Sequence, residues 1–314
     1  MMVKKTELKV ISVNISKKKG EIKLPVSKIV LNAQGVVGDA HAGDWHRQVS
    51  ILGKESFDAF QKQAGRMPAW GEFAENITTE GMEVFKTHPG DRFTCGKVVL
   101  EVTQIGKKCH GDGCAIFREV GSCVMPKEGI FTRVIHAGTI LPGDILEFSP
   151  KVYKALVVTL SERASSGVYE DLSGPAVIKQ LESYFSALGL SHDVDYRLIP
   201  DNEQLLREVL TKAKNDEVSV VITTGGTGVG PRDITPEVVS SLLDKEIPGI
   251  MEMIRLKYGA EKPNALLSRG VAGLMGETFV YTLPGSVKAV NEYMDEITKT
   301  LHHLFIMRMG IDAH

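Results

Sequence analysis

Apolar and polar positions alternate with two different rhythms along this chain of 314 residues. Up to about residue 148 the apolar runs are short and broken by glycine: VKKTELKVISVNIS, EIKLPVSKIVLNAQGVVGD, DRFTCGKVVLEVTQI and AGTILPGDILEFS. Period-two alternation with tight turns predicts short strands in a β-barrel or strongly curved sheet. One helix is expected there, over Lys54 to Gln63. The rhythm changes at Ser149-Pro150-Lys151, where Pro150 resists continuous regular structure. KALVVTL, DVDYRLI, VSVVITT and ETFVYTL read as strands. Between and after them, PAVIKQLESYFSAL, NEQLLREVLTKAK, PEVVSSLL and SVKAVNEYMDEITKTLHHLFIM read as helices, the first capped by Ser173 and stopped by Gly189. Strand–helix alternation predicts a three-layer α/β unit with a mostly parallel sheet. The expectation is therefore two domains, 1–150 mainly β and 151–314 α/β.

Composition narrows the function classes. The formal net charge is −2, so nothing global points to nucleic acid or an anionic membrane. No apolar run is long enough to span a bilayer, and the N-terminus lacks a signal-peptide core, so a cytoplasmic protein is expected. The four cysteines, Cys95, Cys109, Cys114 and Cys123, fall within one short region. In a reducing compartment such a group points to reactive or metal-binding thiols rather than a disulfide framework.

The richest stretch is VVITTGGTGVGPRDITPEVV, residues 220–239. Gly225 and Gly230 have Walker spacing, but Pro231 and Arg232 stand where Lys and Ser or Thr are required. The spacing of Gly226, Gly228 and Gly230 is not that of a dinucleotide fingerprint either. The physics of both motifs survives: glycines let backbone N–H groups approach an anion. Thr235 is the expected N-cap and Pro236 the first helical residue. The alternative is a bare strand-to-helix turn.

In a parallel sheet the carboxyl ends of all strands share one rim. The predicted rim collects Ser161, Glu162 and Arg163, then Pro200 and Asp201, then the glycines with Arg232 and Asp233, then Pro284, Gly285 and Ser286. Carboxylates there would hold Mg²⁺, and arginine with backbone N–H groups would stabilise charge on a phosphoryl group. Each aspartate alone could instead be a helix cap.

SERASSGVYEDLSGP, RLIPD, TTGGTGVGPRDITPEVV, ALLSR and LPGS stand in the order seen in molybdopterin adenylyltransferases, and residues 151–310 resemble that family. The resemblance implies a trimeric α/β domain that adenylates molybdopterin with ATP and Mg²⁺ and releases pyrophosphate. It implies Asp201 and Asp233 as catalytic or Mg²⁺-coordinating acids, with Gly225, Gly226, Thr227 and Gly228 lining the nucleotide and pterin site. Ser161 and Arg232 join the cofactor-binding set, and Ser268, Pro284, Gly285 and Ser286 hold the pterin side. Glu162 departs from the family, which commonly has Asp there. The same fold includes non-catalytic relatives and a nucleotide-sugar pyrophosphatase branch.

VVGDAHAGDWHRQVSIL, GEFAENITTEG, VTQIGKKCHGDGC and CVMPKEGIF resemble the MOSC domain, named for the C-terminus of molybdenum cofactor sulfurase, over residues 5–148. That implies a β-barrel that binds, sulfurates or delivers the molybdenum cofactor, with Cys109 as the characteristic thiol. From the residues alone three alternatives stay open. Cys109 beside Lys107 and Lys108 favours a thiolate that ligates molybdenum or carries sulfur. Cys109, His110, Cys114 and Cys123 could form a structural zinc site, although their spacing is not a standard one. Or some thiols are simply buried, as expected for Cys95. His41, His46 and Arg47 around Trp45 would line an anionic-cofactor pocket or stabilise a loop. The implied partners are small molecules, a homotrimer through the C-terminal domain, molybdate-inserting proteins and molybdoenzymes; pyridoxal phosphate is not expected.

Overall fold

A computed structural model describes residues 6–108 and 124–311. The chain divides into two compact units, the first reaching Lys151 and the second running from Val152 to Gly310. Cys109, His110, Cys114 and Cys123 lie outside the described residues.

The first unit contains β1 (Thr6–Ile15), β2 (Leu24–Val26), β3 (Ile29–Asn32), β4 (Gly35–Val36), β5 (Val49–Gly53), α1 (Lys54–Ala64), β6 (Ile77–Glu80), β7 (Arg92–Cys95), β8 (Val98–Ile105), α2 (Met125–Glu128), β9 (Ile130–His136), β10 (Gly138–Ile140) and β11 (Ile145–Ser149). Seven strands close in the order β11-β7-β8-β9-β5-β6-β1, with β1 pairing back onto β11. Closure leaves no edge among those seven. Inward positions of the alternating strands, including Leu8, Val10, Val49, Ile51, Ile77, Leu100, Val102 and Leu146, form the core. Phe57 and Phe60 of α1 pack edge-on against Phe73 and make a smaller aromatic core.

The second unit contains β12 (Tyr153–Leu160), α3 (Glu162–Ser165), α4 (Ser173–Ala187), β13 (His192–Ile199), α5 (Glu203–Asn215), β14 (Val220–Thr224), α6 (Thr235–Ser240), β15 (Lys245–Glu246), α7 (Pro248–Glu261), β16 (Ala272–Met275), β17 (Thr278–Leu283) and α8 (Val287–Arg308). Strand order is β13-β12-β14-β17-β16-β15. The first four strands run parallel, while β16 and β15 pair antiparallel at one edge. The sheet is thus mixed. That edge departs from the strand–helix alternation read in the sequence, because β15 and β16 are short, stand either side of α7, and β16 turns straight back into β17 as an antiparallel pair.

Period-two alternation sends successive residues of β12 to opposite faces. Tyr153, Ala155 and Val157 join the core under α4, α7 and α8. Leu156, Val158 and Leu160 join the core under α5 and α6. Neighbouring strands β12 and β14 therefore lead into helices on opposite faces. Their carboxyl ends flank a topological switch point, where an open α/β sheet offers a crevice.

Candidate active site

Three loops meet at that switch point. An open cavity of about 310 Å³ is lined by Leu160, Ser161, Glu162, Arg163, Tyr169, Asp201, Gly226, Gly230, Pro231, Arg232 and Asp233. Ser161, Asp201, Gly226, Arg232 and Asp233, all expected from sequence, come together here. Asp201 and Asp233 do not follow adjacent strands: β12 lies between β13 and β14. The turn after β12 bridges them, and the Glu162 N–H donates to Asp201 Oδ2 at 3.4 Å.

Neither aspartate is a helix cap. Asn202 caps α5, accepting the Leu205 N–H at 2.9 Å. Asp201 is thereby released to face the cavity. Asp233 closes the glycine loop instead: its Oδ2 accepts the Gly230 N–H at 2.7 Å, and its own N–H donates to Gly230 O at 3.0 Å. Thr235 is not the N-cap either; Ile234 occupies that position, and Thr235 is the first helical residue. The buried Thr235 hydroxyl donates to Gly225 O at 2.9 Å, which ties α6 to the start of the loop. Ser173 is likewise inside α4 rather than its cap. The capping acceptor is Asp171, which takes the Ser173 and Gly174 N–H groups at 2.9 and 3.0 Å.

The glycines have separate reasons. Gly225 has φ +101°, and a side chain there would start 2.2 Å from Leu160 O. Gly226 has φ +65° and touches Thr235. Both conformations are costly for any residue with a Cβ. Gly225, Thr227 and Gly228 do not line the cavity but shape the loop that does. The turn after β17 is strapped alongside: the Gly225 N–H donates to Leu283 O at 2.9 Å, and Thr224 Oγ1 donates to Pro284 O at 2.9 Å. Gly285 packs against Gly225. Ser286 caps α8, accepting the Ala289 N–H at 3.3 Å. Ser268 accepts the Gly270 N–H at 3.4 Å. Ser268, Pro284, Gly285 and Ser286 stand outside the cavity lining.

Sequence reasoning missed three residues. Asp171 also accepts the hydroxyls of Thr159 (2.7 Å), Ser173 (2.7 Å) and Tyr196 (2.6 Å). Burial works to raise its pKa, but hydrogen bonds from Tyr196, Thr159 and Ser173 outweigh it and hold the carboxyl below its ordinary value. Asp171 thus fixes the root of the 166–172 segment, which brings Tyr169 over the cavity. Tyr169 OH and Ser161 Oγ are 2.8 Å apart, and the Arg163 guanidinium lies 5.2 Å from the Tyr169 ring centre. Arg269 is the third. Its backbone N–H donates to Thr227 O at 2.9 Å, Nε to Gly228 O at 2.7 Å and Nη2 to Asp233 O at 2.9 Å, and the guanidinium pairs with Glu237. The available signal for Asp171 and Tyr169 was the SERASSGVYEDLSGP stretch that contains both, but nothing in it marks which residue turns back onto the strands. No periodicity marks Arg269.

In the first unit the barrel holds a buried charged group. Lys23 Nζ donates to Asp39 Oδ2 at 2.5 Å, and both side chains are essentially inaccessible. Asn76 Nδ2 and the Ser16 N–H also donate to Asp39 Oδ2, at 3.2 and 3.0 Å. Burial opposes the Asp39 charge, yet His41 and Lys23 outweigh it and hold the carboxyl well below the usual range. Burial pulls the Lys23 pKa down, with Asp39 opposing. Glu75 is fully buried, and burial pushes its carboxyl up to about 7. His41 Nδ1 lies 3.3 Å from Lys23 Nζ, so this buried group anchors the His41 loop. His46 is 3.2 Å from Gln104 Oε1, a different partner. Arg47 stacks 4.8 Å over the Trp45 ring centre, and its buried Nε has no hydrogen-bond partner among the described residues. His41 and Arg47 share Trp45, whose Nε1–H donates to His41 O at 2.8 Å. Cys95 is half-buried rather than fully buried, and burial, with Asp144 beside it, raises its pKa.

Among the described residues no group of three or more His, Cys, Asp or Glu side chains could hold a metal ion, and no helix is long and apolar enough to cross a membrane. The two carboxylates of the C-terminal cavity still suit Mg²⁺, which takes one or two protein carboxylates and completes its shell with water and phosphate.

Comparison with known proteins decides the family. Residues 156–303 match the family model described as a probable molybdopterin binding domain. A molybdopterin adenylyltransferase of Helicobacter pylori is 34% identical over 155 residues, covering 49% of this chain and 86% of that protein. The chain belongs to the molybdopterin adenylyltransferase family. An Escherichia coli member is 37% identical over 143 residues, 45% of this chain and 71% of its own length. Gephyrin of Dictyostelium discoideum is 35% identical over 153 residues, 47% of this chain but 21% of gephyrin's length. A solved structure of MogA covers 49% of this chain and 99% of its own at 37% identity, with a TM-score of 0.46. Residues 38–147 match the MOSC domain model. The five motifs of the C-terminal half therefore sit on a family member, and the MOSC resemblance of the N-terminal half holds as well.

Proposed function

We propose that this chain is a two-part enzyme of molybdenum cofactor biosynthesis, whose C-terminal unit transfers AMP from ATP to the terminal phosphate of molybdopterin. The observation that carries this is the convergence of Asp201, Arg232, Asp233 and the glycine loop on one cavity at the switch point of the sheet. A phosphate oxygen of the pterin attacks the α-phosphorus of ATP; the new P–O bond forms as the bond to pyrophosphate breaks, and pyrophosphate leaves with the electron pair. Asp201 and Asp233 would hold Mg²⁺, which when bound offsets phosphate charge. Arg232 and the backbone N–H groups of the glycine loop hold and orient the phosphates and stabilise the equatorial charge of the transition state. Tyr169, braced by Ser161 and Arg163, walls one side and limits water. Ser268 and the 283–286 turn are assigned to the pterin.

The N-terminal unit binds, sulfurates or delivers the finished cofactor. Arg47, with a buried unsatisfied Nε, and His41, anchored on Asp39, are its anion-facing groups, joined by His46; Cys109 is the thiol. The assembly proposed is a cytoplasmic homotrimer, with molybdate-inserting proteins and molybdoenzymes as downstream partners. The test is to incubate the full chain with ATP, Mg²⁺ and molybdopterin and separate the products. Adenylylated pterin and pyrophosphate in equal amounts are expected. Tight pterin binding without turnover would contradict the reading in favour of a carrier.

A further inference from the structure

Arg269 comes from a segment far in sequence from the glycine loop, yet it makes three contacts on it. Its fork spans the carbonyls of Gly228 and Asp233, which bracket the stretch that turns toward the cavity. Its own N–H holds Thr227, and Glu237 on α6 fixes the guanidinium from the other side. The stretch between the bracketed carbonyls contains Gly230, Pro231 and Arg232, all cavity-lining. It has one further cross-link, the Asp233–Gly230 pair. Gly228 and Gly230 impose no bulk of their own, so without a clamp the loop has the conformational freedom that glycine brings.

We propose that Arg269 is the positioning residue of this loop: by gripping the backbone at Thr227, Gly228 and Asp233 it sets the placement of Asp233 and of Arg232 beside it, and acts on the nucleotide only through them. The proposal rests on the adenylyl-transfer reading above. A guanidinium is required because two carbonyls must be met by one rigid planar group, which an ammonium cannot reproduce. Misplacement of a metal-holding carboxylate weakens Mg²⁺ first, so the signature of losing the clamp is a shifted Mg²⁺ requirement.

The experiment uses the full chain and two variants, R269K and R269A. Amide hydrogen exchange over residues 228–233, Mg²⁺-dependent ATP binding by calorimetry, and adenylyl-transfer rate against Mg²⁺ concentration are measured on each. For R269K, loop amides are expected to exchange about tenfold faster while those of β12 and β14 stay unchanged, as for a local opening. Half-saturating Mg²⁺ for ATP binding should rise, and the rate should fall about tenfold or more at low Mg²⁺ but recover largely at saturation, as a misplaced group requires. R269A should show the same pattern more strongly; if it fails to fold, R269K alone decides. Unchanged loop exchange, or an unchanged Mg²⁺ dependence, in R269K overturns the proposal. A rate loss that saturating Mg²⁺ leaves untouched does so too, by placing Arg269 on the substrate. Wild-type protein that binds Mg²⁺–ATP but transfers no AMP sinks the adenylyl-transfer reading while exchange and binding still judge the clamp. Wild-type protein that binds no Mg²⁺–ATP sinks both.

Discussion

Asp201 and Asn202 are neighbours with opposite duties. Asn202 caps α5 and stands outside the cavity lining; Asp201 faces the cavity and is not the cap of α5, its carboxylate taking the long bond from the Glu162 N–H. Asn202→Ala should cost about 1 kcal/mol, lowering the melting temperature of a unit this size by roughly 2–4 °C, with adenylyl transfer unchanged. Asp201→Ala should melt as wild type and lose about a hundredfold or more in rate, the scale of removing one preorganised stabiliser. Thermal melts and steady-state rates on the pair check both; the reverse pattern would make Asp201 a cap. Asp233 is mixed in character, since its Oδ2 also closes the loop on Gly230. Asp233→Ala should therefore lose rate and also loosen residues 228–233, which hydrogen exchange reads. These roles were only partly legible in the sequence. Residue type and position after a strand brought Asp201 and Asp233 forward, but cap and ligand look alike until the side chain's direction is known.

At the scale of elements, the loop after β14 is built against the end of β12. Gly225 lies where a Cβ would meet Leu160 O, a backbone atom with no room to yield. Gly225→Ala should destabilise the C-terminal unit by about 1–3 kcal/mol or more, through left-handed strain together with that clash. Far-UV circular dichroism during denaturation checks this, and a variant as stable as wild type would show that the loop relaxes freely. The strands β12, β14 and β17 were readable because buried parallel strands are continuous apolar runs between amphipathic helices, and β13, at the sheet edge, through its period-two alternation. The helix α7 was not, because PGIMEMIRLKYGAE spreads its apolar residues around the helix instead of along one stripe; Met251, Ile254 and Gly259 are its buried positions. The strands β15 and β16 are too short to carry a period. Arg269, on the same unperiodic stretch, stayed hidden with them, and so did Asp171, whose neighbours in space are brought by β12 and β13.

On the scale of the whole molecule, the two units differ in what their pH dependence must look like. The chain has two tryptophans, Trp45 and Trp70, both in the N-terminal unit, so fluorescence during denaturation reports that unit alone. Glu75 there has its carboxyl raised from 4.5 to about 7 by burial. The unfolded chain then binds fewer protons than the folded one between those values, so stability falls as pH rises through that window. Glu75→Gln should flatten the fluorescence-monitored stability between pH 4.5 and 7; an unaltered slope would mean the Glu75 charge is compensated within the barrel. Fragment Val152–Gly310 should fold alone, since its sheet is covered on both faces by its own helices. AMP transfer on the rim of this second unit, as proposed above, can be followed directly. The most direct measurement follows α-labelled ATP in single turnover with the full chain and with Asp201→Ala. Mg²⁺-dependent label on molybdopterin with matching pyrophosphate is expected in the wild type, and almost none in the variant. Label released as free AMP without pterin, or equal transfer by both proteins, would contradict it.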